Sequence, residues 1–242
     1  MKETLSEKKI RVRVFRAPDD IDASARFAEG HANVLRDYGV TKVTSAKNDW
    51  FYNPGVFVVM VESEDGAHTY GGERIHIANG VQPLPIEEAI GIVDNKIYSL
   101  VAAHAQNITG ELCGLWNSKD IAGHGLSILL TRMGVTLARM LNMGSLFVLC
   151  APYTVAMAKT YGFVIETSIG NQGTFYYPKL DLVATSLVIN DVQHLSSAAE
   201  EQRNEIEDLL RAPIQTIAVS GPKGKAIVNL DLTLNPSNSS TT

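Results

Sequence analysis

The chain has few cysteines, no long apolar run and no excess of positive charge. Cys113 and Cys150 belong to no CxxC pair, so the sequence indicates neither a disulfide framework nor a zinc site. No apolar run reaches the ~20 residues that a membrane-spanning helix needs, and the charged start of the chain lacks the apolar stretch of a signal peptide. A formal net charge of −5 argues against a general nucleic-acid binder. We therefore expect a cytoplasmic globular protein without a membrane span, a bound metal or a nucleic-acid partner.

Hydrophobic periodicity predicts a mixed α/β protein built around a central sheet. A strand with alternating apolar residues is followed by a helix that ends at Gly39, a predicted hairpin and two short helical patterns. A strand, a glycine-containing turn and a strongly apolar helix come next. The expected strands are 10–16, 56–61, 69–78, 108–116, 146–150, 164–169 and 174–189, and the expected helices are 21–38, 86–93, 95–105, 126–142 and 154–161.

The character of the sequence changes after Asn190. Residues 1–190 are expected to form one domain with an insertion at 80–107, and residues 191–242 a C-terminal extension. The extension contains an acidic helix at 196–211, which is either a solvated face or packs on the main domain or a second subunit. A hairpin with its turn at Gly221–Gly224 follows, and the polar tail at 235–242 is predicted to be disordered.

The most informative motif is the turn Gly123-His124-Gly125, directly before the apolar helix. Glycines allow backbone N–H groups to approach a ligand closely, and a helix N-terminus favours anions. These properties predict a pyrophosphate cradle, although the glycines could also serve the geometry of the turn alone. The turn is not a P-loop, because no Gly-Lys-Ser/Thr follows, and it lacks the third glycine of the dinucleotide fingerprint.

The strand Glu111–Asn117, the glycine turn, the apolar helix and the short helix that ends in Tyr161-Gly162-Phe163 together resemble the GNAT superfamily of acyltransferases. The resemblance implies an α/β (α+β) fold with a central mixed, mostly antiparallel sheet flanked by helices, here with a C-terminal helix-hairpin extension. It also implies that the strand backbone binds the pantetheine of a coenzyme A thioester and that the turn binds its pyrophosphate. The implied binding residues are Leu115, Trp116, Asn117, Ala122, Gly123, His124, Gly125 and Leu126.

The sequence departs from that family at the phosphate turn. The family usually has Arg or Gln three residues before the first glycine, and Asp120 stands at that place. A carboxylate there weakens the binding of phosphate. Lys119 and His124 are the nearby basic residues that could compensate.

A second departure concerns the proton that the leaving thiolate needs. At the places where the family often has an Asn and a Tyr, this chain has Ala151 and Ala158. The nearby phenols that could substitute are Tyr153 and Tyr161. Tyr153 follows a strand end, where active sites of open sheets gather, and is our candidate; a packing role is the alternative.

The inserted segment, the strand around Gly71–Arg74 and the acid at Glu111 are similar to the long-chain branch of the same fold. That branch includes N-acyl amino acid synthases and acyl-homoserine lactone synthases, which take fatty acyl groups from acyl carrier protein. Its pattern has an Arg after the acid on the central strand, and here Gly114 stands at that place.

Glu111 lies in an apolar strand, where burial would raise its pKa and suit a general base for an amine. An outward, ordinarily solvated position is the alternative. A structural role is the commoner one for Cys113 and Cys150, with a nucleophilic role as the alternative.

The resulting hypothesis is an N-acyltransferase that moves an acyl group from acyl-CoA, or from the acyl-pantetheine of a carrier protein, to a small-molecule amine. Glu111 and Tyr153 are its predicted catalytic residues. Acyl carrier protein and a second copy of the chain are candidate partners. The alternative is a non-catalytic acyl-CoA-binding or sensor domain on the same fold.

Overall fold

The computed structural model describes residues 8–40, 47–178 and 181–234. The tail at 235–242, which was predicted to be disordered, lies outside the described residues. The strands are β1 (Lys8–Arg16), β2 (Val56–Ser63), β3 (Thr69–Ile77), β4 (Thr109–Asn117), β5 (Ser145–Cys150), β6 (Val164–Ile165), β7 (Thr174–Tyr176), β8 (Val183–Ile189), β9 (Ile214–Gly221) and β10 (Gly224–Asp231). The α-helices are α1 (Ile21–Asp37), α2 (Pro85–Ile90), α3 (Lys96–His104), α4 (Leu126–Met140), α5 (Val155–Thr160) and α6 (Glu200–Arg211).

Within the described residues, the strands form one sheet in the order β6-β8-β5-β4-β3-β2-β1-β10-β9, and β7 also pairs with β8. All neighbouring pairs are antiparallel except β4–β5 and β1–β10, which are parallel. Helices cover the faces of the sheet. The predicted fold class, a mixed and mostly antiparallel sheet flanked by helices, is confirmed.

Helix α1 covers one face of the sheet. It begins at an N-cap, Asp20, whose side chain accepts a hydrogen bond from the Ala23 N–H at 2.9 Å. Phe27 of this helix packs edge-on against Trp116 of β4 at a centroid distance of 5.9 Å. A Cβ at Gly30 would lie only 2.1 Å from the Trp116 ring, so a glycine is required for this close approach.

Helix α4 lies on the opposite face and is itself covered by α6. Its apolar side is buried against the sheet, as the periodicity predicted. Arg132 and Arg139 lie on the predicted polar stripe of α4, and they form ion pairs with Glu205 and Glu207 of α6. The acidic helix therefore packs on the rest of the protein, through its charges as well as its apolar residues.

The C-terminal hairpin continues the sheet. Strand β10 runs parallel to β1 with Ile10 opposite Val228, and β9 forms the sheet edge beyond it. The hairpin turn comes close to the glycine turn that precedes α4, because the Lys223 N–H donates a hydrogen bond to the Gly123 carbonyl at 2.9 Å. Across the described ranges, no helix has both the length and the apolar character needed to cross a membrane.

Candidate active site

The sheet opens between β4 and β5. The two parallel strands pair only from Thr109 with Ser145 to Glu111 with Phe147, although both strands continue beyond that point. Where the gap begins, Cys113 to Leu115 on β4 and Val148 and Leu149 on β5 are half-buried, although Trp116 on β4 is buried again. Among the described strands, one edge of the β4 backbone therefore has no partner after Glu111, and such an edge can bind an extended ligand.

A bulge shapes the same stretch of β4. Arg74 lies opposite Cys113 and Gly72 lies opposite Trp116, so two residues of β4 face one residue of β3. Gly114, in the bulge, has a φ of +60°, which favours glycine. The bulge changes the direction of the backbone at Leu115, the first residue of the predicted donor-binding set.

The glycine turn presents free amides at the start of α4. Gly123 and Gly125 both have a φ of +87°. Within the described residues, the N–H groups of Gly125 and of residues 126–128 have no hydrogen-bond acceptor. Asn117, at the end of β4, donates a hydrogen bond to Ser127 Oγ at 2.7 Å and links the open strand to these amides. Such amides at a helix N-terminus are suited to an anion.

The two basic residues expected to compensate for Asp120 are engaged elsewhere. The Lys119 ammonium pairs with Asp37 at 2.8 Å. The His124 Nδ1 lies 3.0 Å from the Ile121 carbonyl oxygen. A positive charge that compensates for Asp120 would therefore have to come from another residue.

Glu111 is buried, with only 3% of its surface exposed. Its Oε2 accepts a hydrogen bond from the Ile86 N–H, in the first turn of α2, at 2.6 Å. Burial raises the pKa of Glu111 to about 8, against the opposing effects of this hydrogen bond and of the Arg74 charge. A carboxyl group with that pKa ionises around pH 8, and its ionised form can accept a proton from an amine.

Arg74 lies beside Glu111 and was not predicted from the sequence as a site residue. Its guanidinium stacks on Trp50, 4.1 Å from the ring centroid, and also faces Phe27 at 5.5 Å. A Cβ built on Gly114 would lie 3.3 Å from this guanidinium. Arg74 of β3 therefore brings its charge to the place where an Arg on β4 had been expected. The available signal was an arginine inside a predicted strand that also contains Glu73 and His76.

Two buried histidines lie near Arg74 without adding charge. Burial, followed by the Arg74 charge, lowers the pKa of His31 to about 3. The same causes lower the pKa of His76, which pairs with Glu111 across β3 and β4, well below its usual value. Both imidazoles are therefore neutral at physiological pH.

A small cavity of about 20 Å³, partly open to solvent, adjoins this group. Its lining includes Lys47, Trp50, Arg74, His76 and Pro85. Glu111 lies behind this lining, adjacent to His76 and hydrogen-bonded to the residue that follows Pro85. The cavity has room for about one water molecule, and it places a polar opening beside the buried carboxyl group.

The two candidate phenols have different surroundings. The Tyr153 side chain is 85% exposed in the turn between β5 and α5. Tyr161 is 1% exposed, and its hydroxyl donates a hydrogen bond to the Ile128 carbonyl at 3.2 Å. Of these two phenols, only Tyr153 has a hydroxyl accessible to a ligand, and its catalytic role stays a prediction.

The cysteines are better suited to packing than to nucleophilic attack. Burial raises the pKa of Cys113 to about 12 and that of Cys150 to about 11. A nucleophile would require the thiolate, which these pKa values disfavour at neutral pH. Over the residues that the structure describes, no group of three or more His, Cys, Asp or Glu side chains could hold a metal ion.

No protein-family model and no curated protein sequence matches the chain. Among solved structures, it is similar to FeeM, an N-acyl amino acid synthase from uncultured soil microbes, with 17% identity and a TM-score of 0.59 over 81% of this chain and 97% of that one. It is also similar to MesI, a CoA-dependent acyl-homoserine lactone synthase, with 16% identity and a TM-score of 0.54 over 81% and 95%. An acyl-CoA N-acyltransferase from Pseudomonas aeruginosa matches with 12% identity and a TM-score of 0.51 over 74% and 98%.

At these identities the similarity establishes the fold. The chain has the GNAT-type fold that it shares with the N-acyl amino acid synthase and the acyl-homoserine lactone synthase. The resemblance inferred from the sequence is confirmed at that level.

Proposed function

We propose that this protein is an acyltransferase that moves an acyl group from an acyl-thioester to an amine. The observation that carries the proposal is the position of Glu111. Its buried carboxyl group lies where β4 separates from β5 and next to a cavity on the same face. A base with a raised pKa is thereby brought between an open strand edge and a small, partly open cavity.

The donor side fits an acyl-pantetheine. The unpaired edge of β4 can hydrogen-bond the amides of a pantetheine arm, and the bulge at Gly114 turns further backbone groups toward it. The free amides of residues 125–128 can bind phosphate oxygens. The thioester supplies an electrophilic carbonyl carbon and a thiolate leaving group.

Glu111 would act as the general base. It would accept a proton from the acceptor amine, directly or through one water molecule, while nitrogen bonds to the acyl carbon and the carbon–sulfur bond breaks. Arg74 lowers the pKa of Glu111, so it favours the carboxylate form that accepts the proton. The leaving thiolate takes up a proton at the end of the step, and the exposed Tyr153 is the proposed donor.

The names of the similar structures bear on the donor and the acceptor. FeeM is an N-acyl amino acid synthase and MesI is CoA-dependent, as their names state. The name of MesI supports an acyl-CoA as the donor for this chain. An acyl carrier protein stays a candidate donor only through the resemblance seen in the sequence.

The test is direct. The purified protein would be titrated calorimetrically with CoA and with a long-chain acyl-CoA. It would then be incubated with that acyl-CoA, or with an acylated carrier protein, and a panel of amino acids and polyamines. We expect thiol release and N-acylated products detected by mass spectrometry. Failure to bind or turn over any of these donors would contradict the proposal.

A non-catalytic binding domain is the second candidate, and one observation favours it. The buried phenol, Tyr161, donates its hydroxyl proton to a helix carbonyl, and Tyr153 lies in an exposed turn. Tight binding of a long-chain acyl-CoA without any thiol release would support this second function.

A further inference from the structure

The C-terminal hairpin makes direct backbone contact with the glycine turn. Besides the hydrogen bond from Lys223 to Gly123, a Cβ on Gly221 would lie 2.3 Å from the Gly123 carbonyl oxygen and 2.6 Å from the Gly125 nitrogen. A Cβ on Gly125 would lie 2.5 Å from the Ser220 carbonyl oxygen. The contact therefore requires glycine on both sides.

The hairpin engages the carbonyl side of the turn. The Lys223 N–H donates a hydrogen bond to the Gly123 carbonyl oxygen. The N–H groups of residues 125–128 have no hydrogen-bond acceptor within the described part of the chain. Because Gly221 lies against the Gly125 nitrogen, the hairpin can fix the orientation of the turn while the amides of residues 126–128 stay without an acceptor in the described part of the chain.

The hairpin also brings a positive charge. The aliphatic part of Lys223 packs against Gly123, with its Cγ 2.8 Å from a Cβ built there, and the residue is exposed. Lys223 has no ion pair among the described residues, in contrast to Lys119, which pairs with Asp37. A third lysine near this turn, Lys8, donates a hydrogen bond from its ammonium group to the Asp120 carbonyl oxygen.

We propose that the hairpin turn is a working part of the donor site. Gly221 is a positioning residue that holds the glycine turn with its amides free, and the Lys223 ammonium attracts the phosphate groups of the donor. The inference rests on the proposed function, because it assumes a phosphate-bearing thioester at this turn. The shared chemistry is a phosphate ester of pantetheine, either the pyrophosphate of CoA or the phosphodiester on a carrier protein.

The test compares three donors that carry the same acyl group: an acyl-CoA, an acylated carrier protein and an acyl-pantetheine without phosphate. For Lys223→Ala we expect KM for the acyl-CoA to rise about 5-fold, the scale of a partly exposed ion pair. We expect kcat to be unchanged, KM for the acyl-pantetheine to be unchanged and the salt dependence of the acyl-CoA KM to be weaker. Lys225→Ala, an exposed lysine on β10, is the matched control and should change nothing.

Gly221→Ala is the second variant, and it should raise KM for the phosphate-bearing donors more than for the acyl-pantetheine. If it does not fold, the Lys223→Ala result decides alone. A rise in KM for the acyl-CoA only would identify CoA as the source of the phosphate. A rise in KM for the acylated carrier protein only would identify the carrier protein as that source. An equal change in KM for all three donors, or no change for any of them, would overturn the inference. Turnover by the wild-type protein would still support the proposed function in that case. Absence of wild-type turnover would instead contradict the proposed function itself.

Discussion

Glu111 and Glu73 are buried carboxyl groups on adjacent strands that face opposite sides of the sheet. Glu111 accepts a hydrogen bond from Ile86, lies beside the Arg74 charge and adjoins a cavity. Glu73 is fully buried under α4, where a Cβ on Gly134 would lie 2.7 Å from its Oε1. No ion pair to Glu73 exists among the described residues.

Burial raises the pKa of both groups, so a raised pKa does not by itself identify a catalytic acid or base. The difference lies in access. Glu111 has an open strand edge and a cavity on its side, whereas Glu73 is enclosed by a helix that carries a glycine to make room for it. The following changes test that distinction.

The largest expected effect separates the two carboxyl groups by activity. Glu111→Gln keeps the shape of the side chain but removes the base, so kcat should fall by about 100- to 10,000-fold. Glu73→Gln is the matched control and should retain kcat to within a few fold. Steady-state kinetics of thiol release measures both variants, and circular dichroism checks their folding. An equal loss in the two variants would remove the distinction.

The second effect concerns pH. Glu111 must be ionised to accept a proton, so kcat/KM should rise with pH and level off above its pKa of about 8. Because the Arg74 charge lowers the pKa of Glu111, Arg74→Met should move this rise to higher pH. Lys47→Met changes a cation that lines the same cavity but pairs with Glu88, and it should leave the midpoint in place. If the midpoint of the pH profile of kcat/KM stays the same or falls in Arg74→Met, the assignment of Glu111 as the base would be contradicted.

The smallest effect concerns stability and tests how tightly Glu73 is enclosed. In Gly134→Ala the new methyl group would lie 2.6 Å from Leu112 Cδ1 and 2.7 Å from Glu73 Oε1. Overpacking should lower the free energy of unfolding by roughly 1–3 kcal/mol, despite the better helix propensity of alanine. The loss should be smaller in a Glu73→Ala background. Urea denaturation of the four proteins of this cycle measures the difference, and strict additivity would show that Glu73 does not fill that space.

Much of the fold could be predicted because the hydrophobic periods are local. The apolar face of α4 and the alternation in β1 follow from a few neighbouring residues, and most of the elements were placed within a few residues of their observed bounds. The acidic helix was predicted from 196 but begins at Glu200, since helix ends depend on capping and packing. The span 174–189 was predicted as strand material, and the structure contains two separate strands, β7 and β8, within it.

The sequence by itself determined the glycine turn before an apolar helix and the carboxyl group at Glu111 in an apolar strand. These are properties of residue type and order, and they were sufficient to indicate the fold. Only the tertiary structure decided that Arg74 supplies the charge beside Gly114 and that Lys119 pairs with Asp37. It also brought the turn at Gly221–Gly224 onto Gly123. The physical reason is that these contacts depend on strand register and on which distant segments the sheet brings together, and neither is encoded in a local pattern.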